Sequence, residues 1–499
     1  MSAQPKAIDW HARASDLRIR GQAFIDGKYV DAASGATFDS INPANGKLLA
    51  KIASCDQVDV DRAVACARAV FNKGGWSRLA PRKRKNVLLR FAELIRANAE
   101  ELALLESLDM GKPVSDALHV DMASSANCIQ WFAEAVDKMY DEVAPTGHDS
   151  LALITREPVG VVAAIVPWNF PLLMASWKLG PALASGNSVV LKPSEKSPLT
   201  AIRVASLALE AGIPPGVLNV LPGIGGTAGK ALALHMDVDC VAFTGSTRTG
   251  KLMLEYSGQS NMKRVWLECG GKSPNILMAD TPDVERAATA AAYAIFFNQG
   301  EMCSAGSRLL VHESLKERVL ERIAEVGRKL APGDPLDPAT KLGALVDRTQ
   351  LDTVLRYIDQ GRSEGAKVAF GGKQARTESG GYFVEPTIFD GVKQSMTIAR
   401  EEIFGPVLAT ITFSDADEAV AIANDVSYGL AAAVWSRDIT TAHRVARALR
   451  AGTVYVNCYD ADDITVPFGG FKQSGNGRDK SLHAFDKYTE LKTTWVDLS

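Results

Sequence analysis

The chain reads as an α/β protein, and three observations carry that expectation. Between residues 159 and 267, short Val/Ile/Leu-rich runs alternate with helical stretches, as when crossover helices cover both faces of a parallel sheet. Turns bearing glycine and proline follow those runs, at the strand ends where such a sheet binds ligands. At 499 residues, 46% of them apolar, the chain is too long for one hydrophobic core and well supplied to fill two.

Residues 22–53 alternate short β-like runs, such as Ala23-Phe24-Ile25, with turn residues such as Asp26-Gly27 and Asn42-Pro43. They read as a peripheral antiparallel piece. Two amphipathic helices follow. One carries Val60, Val64, Ala67 and Phe71 on a single face and stops at Gly74-Gly75; the other starts near Pro81 and aligns Leu88, Phe91, Ile95, Leu102 and Leu105. Strands are then expected at 159–166, 188–191, 217–221, 240–243 and 265–267, with helices at 171–184, 198–211, 226–235 and 246–256 between them. A second α/β region from Ser273 has helices at 283–297, 315–330, 347–364, 415–425 and 439–450 and strands at 308–312 and 453–457, with Ser414 and Asp417 as a capping-box pair.

A formal charge of -3 supplies no basic face for nucleic acid or an anionic membrane, so small molecules are the expected partners. The seven cysteines form no C-x-x-C pair and are odd in number, which disfavours zinc ligation and a disulfide framework and fits a reducing compartment. Asp9, His11, Arg13, Asp16 and Arg18 stand where a signal peptide needs an apolar run, and the longest such run, 159–166, is too short to span a bilayer. A cytoplasmic protein is expected.

The chemistry centres on Cys303. Gly300, Ser304, Ala305 and Gly306 leave it sterically open on a turn, as a nucleophile requires, although a buried inert thiol is the competing reading. Glu268 ends a strand before Gly270 and Gly271 and faces the same border, where a partly buried carboxylate acts as a general base; capping the next turn is its alternative duty. Asn169, in Pro167-Trp168-Asn169-Phe170-Pro171, is held by flanking prolines as a preformed donor to an oxyanion, or else serves as an Asx-turn residue. Gly245 and Ser246 open a helix after a strand and offer backbone N–H groups to a pyrophosphate. The glycines Gly223, Gly225, Gly226 and Gly229 lack the G-x-G-x-x-G register, and such turns often only pack. In Lys192-Pro193-Ser194-Glu195, a carboxylate at a strand end accepts both ribose hydroxyls and repels a 2'-phosphate, which favours NAD over NADP; an ordinary surface ion pair is the alternative.

These stretches, with Phe243-Thr244-Gly245-Ser246, Leu267-Glu268-Cys269-Gly270-Gly271-Lys272-Ser273-Pro274, Gln299-Gly300-x-x-Cys303, Glu401-Glu402-Ile403-Phe404-Gly405-Pro406 and Pro467-Phe468-Gly469-Gly470, resemble the NAD(P)-dependent aldehyde dehydrogenase superfamily in order along nearly the whole chain. The resemblance implies Cys303 as nucleophile, Glu268 as base, and Asn169 with the Cys303 N–H as oxyanion hole. It implies a cofactor cleft drawn from Ile165, Val166, Pro167, Trp168, Lys192, Ser194, Glu195, Gly225, Phe243, Gly245, Ser246, Glu402 and Phe404, with no metal. It also implies a Rossmann-like parallel-sheet cofactor domain (1–139 and 160–271), an α/β catalytic domain (272–470) and a small β oligomerisation domain (140–159 and 487–499) in a dimer or tetramer. Cys269 departs from the leucine usual after the base.

For the substrate, three acids in the loop 457–467, at Asp460, Asp462 and Asp463, are read as recognising an amine or guanidine, or as the ordinary charges of a solvated loop. Glu106 and Asp109 are expected to help from the opposite wall, with Trp177 and Phe468 packing the aliphatic chain. With that ending the chain is similar to γ-glutamyl-γ-aminobutyraldehyde and 4-guanidinobutyraldehyde dehydrogenases of polyamine breakdown. A broad aliphatic aldehyde dehydrogenase, a cysteine hydrolase, a CoA-acylating enzyme and a silent relative of the same fold are the rival readings.

Overall fold

The computed structural model describes residues 8–499. Its first sheet has seven strands in the spatial order Arg264–Glu268, Cys240–Thr244, Val161–Ile165, Ser188–Lys192, Leu218–Val220, Ala23–Ile25 and Lys28–Val30. The first five run parallel and the last two are antiparallel additions. Val161–Ile165, Ser188–Lys192 and Cys240–Thr244 are buried at every position, which explains their unbroken apolar runs. The chain leaves Val161–Ile165 first toward Ser188–Lys192 and returns to its other side with Cys240–Thr244, so the strand order reverses there. The crevice at this switch point opens at the strands' carboxyl ends, where Phe243 pairs with Ile165 and Thr244 with Glu268.

The second sheet also has seven strands: Lys367–Phe370, Thr387–Asp390, Val407–Phe413, Arg308–His312, Pro274–Leu277, Ala431–Trp435 and Thr453–Val456, all parallel except the first pair. Sequence patterning finds only Arg308–His312 and Thr453–Val456 among them. Pro274–Leu277 and Thr387–Asp390 are four-residue runs, and Ala431–Trp435 is alanine-rich, so local propensity does not mark either kind as β. A third, antiparallel sheet joins Thr489–Asp497, Ser150–Pro158 and Glu142–Ala144.

Three local expectations need correction. The helix expected from Pro81 through Leu105 is two, Pro81–Ala97 and Ala99–Met110, because Asn98 leaves the helical region (φ -107, ψ 16). The helix Ala416–Asn424 is capped by Asp415, which accepts from the Asp417 and Glu418 N–H groups; the Ser414 hydroxyl bonds to Glu418 instead. Of the N-terminal runs, Ala23–Ile25 and Lys28–Val30 extend the first sheet, and Thr37–Ile41 with Leu48–Ala53 forms a separate hairpin. All seven cysteines are free, and among the described residues no helix is long and apolar enough to cross a membrane.

The strand ending in Glu268 would be a sheet edge but for residues 474–477. Cys269 N–H donates to the Ser474 carbonyl (2.9 Å), Asn476 N–H to the Leu267 carbonyl (3.1 Å), and Leu267 N–H to Asn476 Oδ1 (2.8 Å). Only glycine fits between: Gly475 has φ +131, and a Cβ there would lie 2.1 Å from the Leu267 carbonyl oxygen. Gly475→Ala is expected to cost about 1–3 kcal/mol by overpacking, lowering the thermal midpoint, and to slow turnover by shifting Glu268. Thermal melts with steady-state kinetics check this, and an unchanged midpoint and kcat would show that the segment does not hold the strand end.

Candidate active site

Cys303 stands on a strained turn. After the helix Val284–Phe296, Asn298 (φ 48), Gln299 (φ 58) and Gly300 (φ 70) are consecutive left-handed residues. That conformation is costly for the two with side chains and persists only where surroundings impose it. Here Asn298 Nδ2 donates to the Asn169 and Glu301 carbonyls (both 3.1 Å), Gln299 Oε1 accepts from Gly343 N–H (3.0 Å), and Glu301 Oε1 accepts from Val346 N–H (3.1 Å). A Cβ on Gly300 would come within 2.3 Å of the Gly405 backbone.

Two cavities meet at Cys303, and Met174 also lines both. The first, about 200 Å³, is bordered by Asn169, Glu268, Gly245, Ser246, Glu402 and Phe404. The second, about 450 Å³, runs along Trp177, Tyr455, Tyr459, Phe468 and Asp460. One crevice therefore holds Cys303, Glu268 and Asn169, three residues far apart in sequence.

Glu268 is 4% exposed and neither carboxylate oxygen has a hydrogen-bond partner. Burial pushes its carboxyl up to about 8; the Lys178 ammonium opposes the shift and Asp479 adds to it. Lys178 and Lys487 both pair with the buried Asp479, so a compact charge cluster lies behind the base. The Cys303 thiol is held well above its ordinary value by burial, then by the Glu268 and Glu402 carboxylates. Asn169 Nδ2 donates to the Glu301 carbonyl (2.9 Å), which fixes the amide and leaves its other hydrogen without a protein partner.

On the cofactor side, Pro167, Trp168, Gly245, Ser246, Glu402 and Phe404 line the smaller cavity. Trp168 and Phe404 meet edge to face with ring centroids 5.1 Å apart, and Gln350 Nε2 holds the left-handed Phe404 by its carbonyl (2.6 Å). Glu402 Oε1 accepts from Gly271 N–H (3.0 Å), and burial pushes its carboxyl up to about 7. Ser246 caps the helix Thr247–Gly258 by accepting from Thr249 N–H. Lys192 Nζ meets Glu195 Oε2 at 2.9 Å, and Gly225 lies beside Glu195, beyond this cavity on the same sheet edge. Ser194 does not line the cavity; its hydroxyl accepts from Lys196 N–H (3.3 Å). Ile165, Val166 and Phe243 do not line the cavity wall: all three are buried, Val166 in the core on one face of the sheet and Ile165 with Phe243 in the core on the other. A Cβ on Gly245 would strike the Phe243 ring at 2.7 Å, so the backbone lies bare at the helix start. A bare turn, a helix N-terminus, a strand-end carboxylate and Glu402 together fit an extended dinucleotide.

A thiol, a raised carboxyl and a fixed amide at the junction of two parallel sheets, beside a cleft that fits a dinucleotide, are the parts of an oxidoreductase site. Residues 29–494 match the model of the aldehyde dehydrogenase family. The NADP/NAD-dependent aldehyde dehydrogenase PuuC of Escherichia coli is 55% identical over 489 residues, 98% of each chain. An indole-3-acetaldehyde dehydrogenase solved with NAD+ is 66% identical with a TM-score of 0.97, covering 98% of this chain and 99% of that one. A γ-glutamyl-γ-aminobutyraldehyde dehydrogenase from Burkholderia cenocepacia is 61% identical with a TM-score of 0.97 over the same shares. The chain belongs to the aldehyde dehydrogenase family and is an enzyme that oxidises an aldehyde with NAD(P).

On the substrate side the expected acids separate. Glu106 and Asp109 do not line the cavity: both are buried, accepting from Leu172 N–H (3.3 Å) and Leu199 N–H (2.9 Å) at the starts of two helices. An acid alone at a helix start is better placed on those amides than on solvent. Asp462 reaches the cavity wall but is ion-paired to Lys480, and Asp463 turns away to bond Thr465. Sequence reasoning missed Met174, Tyr455, Tyr459, Gln350, Lys178 and Asp479; the aromatic pair at 455 and 459 was the one visible signal. Lys112, wholly buried, bonds Asp121 (2.6 Å), lies 3.5 Å from Glu106 and sits 4.1 Å over the Phe170 ring on the cavity wall. Lys112→Met strands buried acids and is expected to cost about 3–5 kcal/mol. A lower thermal midpoint and faster proteolysis check this; an unchanged midpoint would mean the acids are already neutral.

Proposed function

We propose that Cys303 releases its thiol proton to solvent and attacks the aldehyde carbon as the thiolate, and that the resulting oxyanion is held by the Asn169 amide and the Cys303 N–H. The observation that carries this reading is the shared crevice of Cys303, Glu268 and Asn169, open on one side to the aromatic cavity and on the other to the dinucleotide cleft. A nicotinamide held beside Glu402 and Phe404 would supply the hydride acceptor, so that the carbon bound to Cys303 passes to the thioester level. Glu268 then takes a proton from water, whose oxygen adds to the thioester carbon; the sulfur leaves and the acid is released. Aldehyde, NAD+ and water become acid, NADH and a proton. Glu402 and Phe404 are assigned to the nicotinamide riboside, Lys192 and Glu195 to the adenine ribose, and Gly245 and Ser246 to the pyrophosphate. Glu195 favours NAD, with NADP as a second cofactor.

The substrate is an ω-amino, guanidino or γ-glutamylamino aldehyde. Trp177, Tyr455, Tyr459 and Phe468 form an apolar, π-rich wall for its chain, and Asp460 at the mouth is the acid for its cation. Asp460 forms no ion pair; the protein crowding its carboxyl, then the Asp462 carboxylate, pushes it up to about 7 against the opposing Lys480 ammonium, although its side chain keeps contact with solvent. The B. cenocepacia relative is named for such an aldehyde. The aromatic wall also supports a second reading, an arylacetaldehyde such as that named for the indole-3-acetaldehyde relative.

The three sheets support a division into a cofactor domain (1–139 and 160–271), a catalytic domain (272–470) and an oligomerisation domain (140–159 and 487–499), with residues 1–7 lying outside the described residues. Leu491, Trp495 and Leu498, exposed on and beside the edge strand Thr489–Asp497, support a dimer or tetramer. A cytoplasmic setting fits the free cysteines.

Cys303→Ala is expected to abolish NADH formation. Because Glu268 titrates near 8, its basic form gains with rising pH, so thioester hydrolysis should climb through about pH 8, and Glu268→Gln should slow it and remove that limb. Single-turnover kinetics against pH check this, and a wild-type limb retained in Glu268→Gln would remove the assignment. For the substrate, kcat/KM for 4-guanidinobutyraldehyde, hexanal and indole-3-acetaldehyde is to be compared in wild type and Asp460→Asn. Loss of about tenfold for the cation alone, vanishing as pH falls through about 7 and Asp460 is protonated, is expected. Equal effects on all three would sink the cationic reading.

A further inference from the structure

Lys480 and Ser481 are consecutive non-glycine residues in the left-handed region, with φ 60 and 50. Such a pair persists only where surroundings impose it. Ser481 N–H donates to the Ile464 carbonyl (2.8 Å) and its hydroxyl accepts from His483 N–H, which locks the turn. The turn sends the Lys480 side chain inward, where it is 2% exposed. Its ammonium lies 5.5 Å from the Trp177 ring and 5.6 Å from the Phe468 ring, donates to the Asp463 carbonyl at 3.1 Å, and pairs with Asp462. A cation of the protein itself thus stands against two rings of the substrate cavity.

The consequence is a sorting of the loop's three acids. Asp462 is matched by Lys480, Asp463 accepts from Thr465 N–H (2.8 Å) and its hydroxyl (2.7 Å), and only Asp460 lines the cavity without an ion pair or side-chain hydrogen bond. We infer that Lys480 is a specificity-determining residue: by neutralising Asp462 it limits the mouth of the cavity to one available negative charge, that of Asp460. The inference rests on the cationic-substrate reading above and adds to it a residue that weakens, rather than supplies, attraction for the cation. It also reassigns Asp462 from substrate ligand to partner of Lys480.

Lys480→Met keeps the stem against Trp177 and Phe468 and frees Asp462, whose side chain is 61% exposed and tolerates the loss of its partner. Because Lys480 also opposes the upward shift of Asp460, the comparison is made at about pH 9, where Asp460 is ionised in both proteins; the expected result there is a rise of about tenfold in the ratio of kcat/KM for 4-guanidinobutyraldehyde over hexanal, carried by a lower KM for the cation with kcat unchanged. The double variant Lys480→Met/Asp462→Asn should return the ratio to that of wild type. A merely structural lysine would instead lower the thermal midpoint and reduce both substrates alike, leaving the ratio fixed in both variants, and that result overturns the inference. Asp460→Asn separates the two failures. If it leaves the wild-type ratio unchanged, the cationic reading itself fails; if it lowers the ratio while Lys480→Met does not raise it, this inference fails alone.

Discussion

Two side-chain amides converge on one backbone carbonyl, those of Asn169 and Asn298 on Glu301, and the rest of the site depends on that meeting. Asn169 follows a strand of the first sheet and Asn298 precedes Cys303 in the second region. Their shared acceptor ties the two bodies of the protein at the reacting position. The tie also offsets the cost of holding Asn298 and Gln299 in the left-handed region ahead of Gly300. Strain is thereby converted into placement, with the sulfur held at the point where two cavities join.

Around this joint the protein manages charge by burial. Glu268 lacks hydrogen-bond partners, and the cost of ionising it there moves its titration toward working pH, the condition under which a carboxylate is an effective base. Lys178 moderates the shift from behind, while Asp479, which it shares with Lys487, adds to it. A second buried cluster, Lys112 with Glu106 and Asp121, supports Phe170 and the start of the helix after Asn169. Both clusters stand behind the walls, where low dielectric strengthens them and solvent does not compete.

Substrate choice follows the same logic at a smaller scale. The cavity wall is aromatic and nearly uncharged because its acids are individually answered: one by a lysine from another turn, one by its own loop, and one left open. Such a wall suits the apolar body of an aldehyde, whether alkyl or aryl, and on the proposed reading discrimination falls to a single charge at its mouth.

The sequence by itself determined the α/β pattern and the strand ends at which ligands gather, and it singled out Cys303, Glu268, Asn169 and Gly245 as candidates, with Glu402 added by the family resemblance, because local rules govern these features: hydrophobic period, turn residues, and short motifs of fixed spacing. Only the tertiary structure decided which acids face the substrate. Glu106 and Asp109 look like Asp460 in the sequence, yet one amide and a buried lysine claim the carboxyl of Glu106 and one amide that of Asp109. Lys178, Asp479 and Lys480 were likewise invisible, and of the five missed strands of the second sheet four are short or alanine-rich and specified by neighbours distant in the chain, whereas Val407–Phe413, with its β-branched residues, did carry a local signal. A partner's identity for a charged group, or a pairing for a short alanine-rich strand, is set by long-range packing, and nothing in the spacing of nearby residues encodes it.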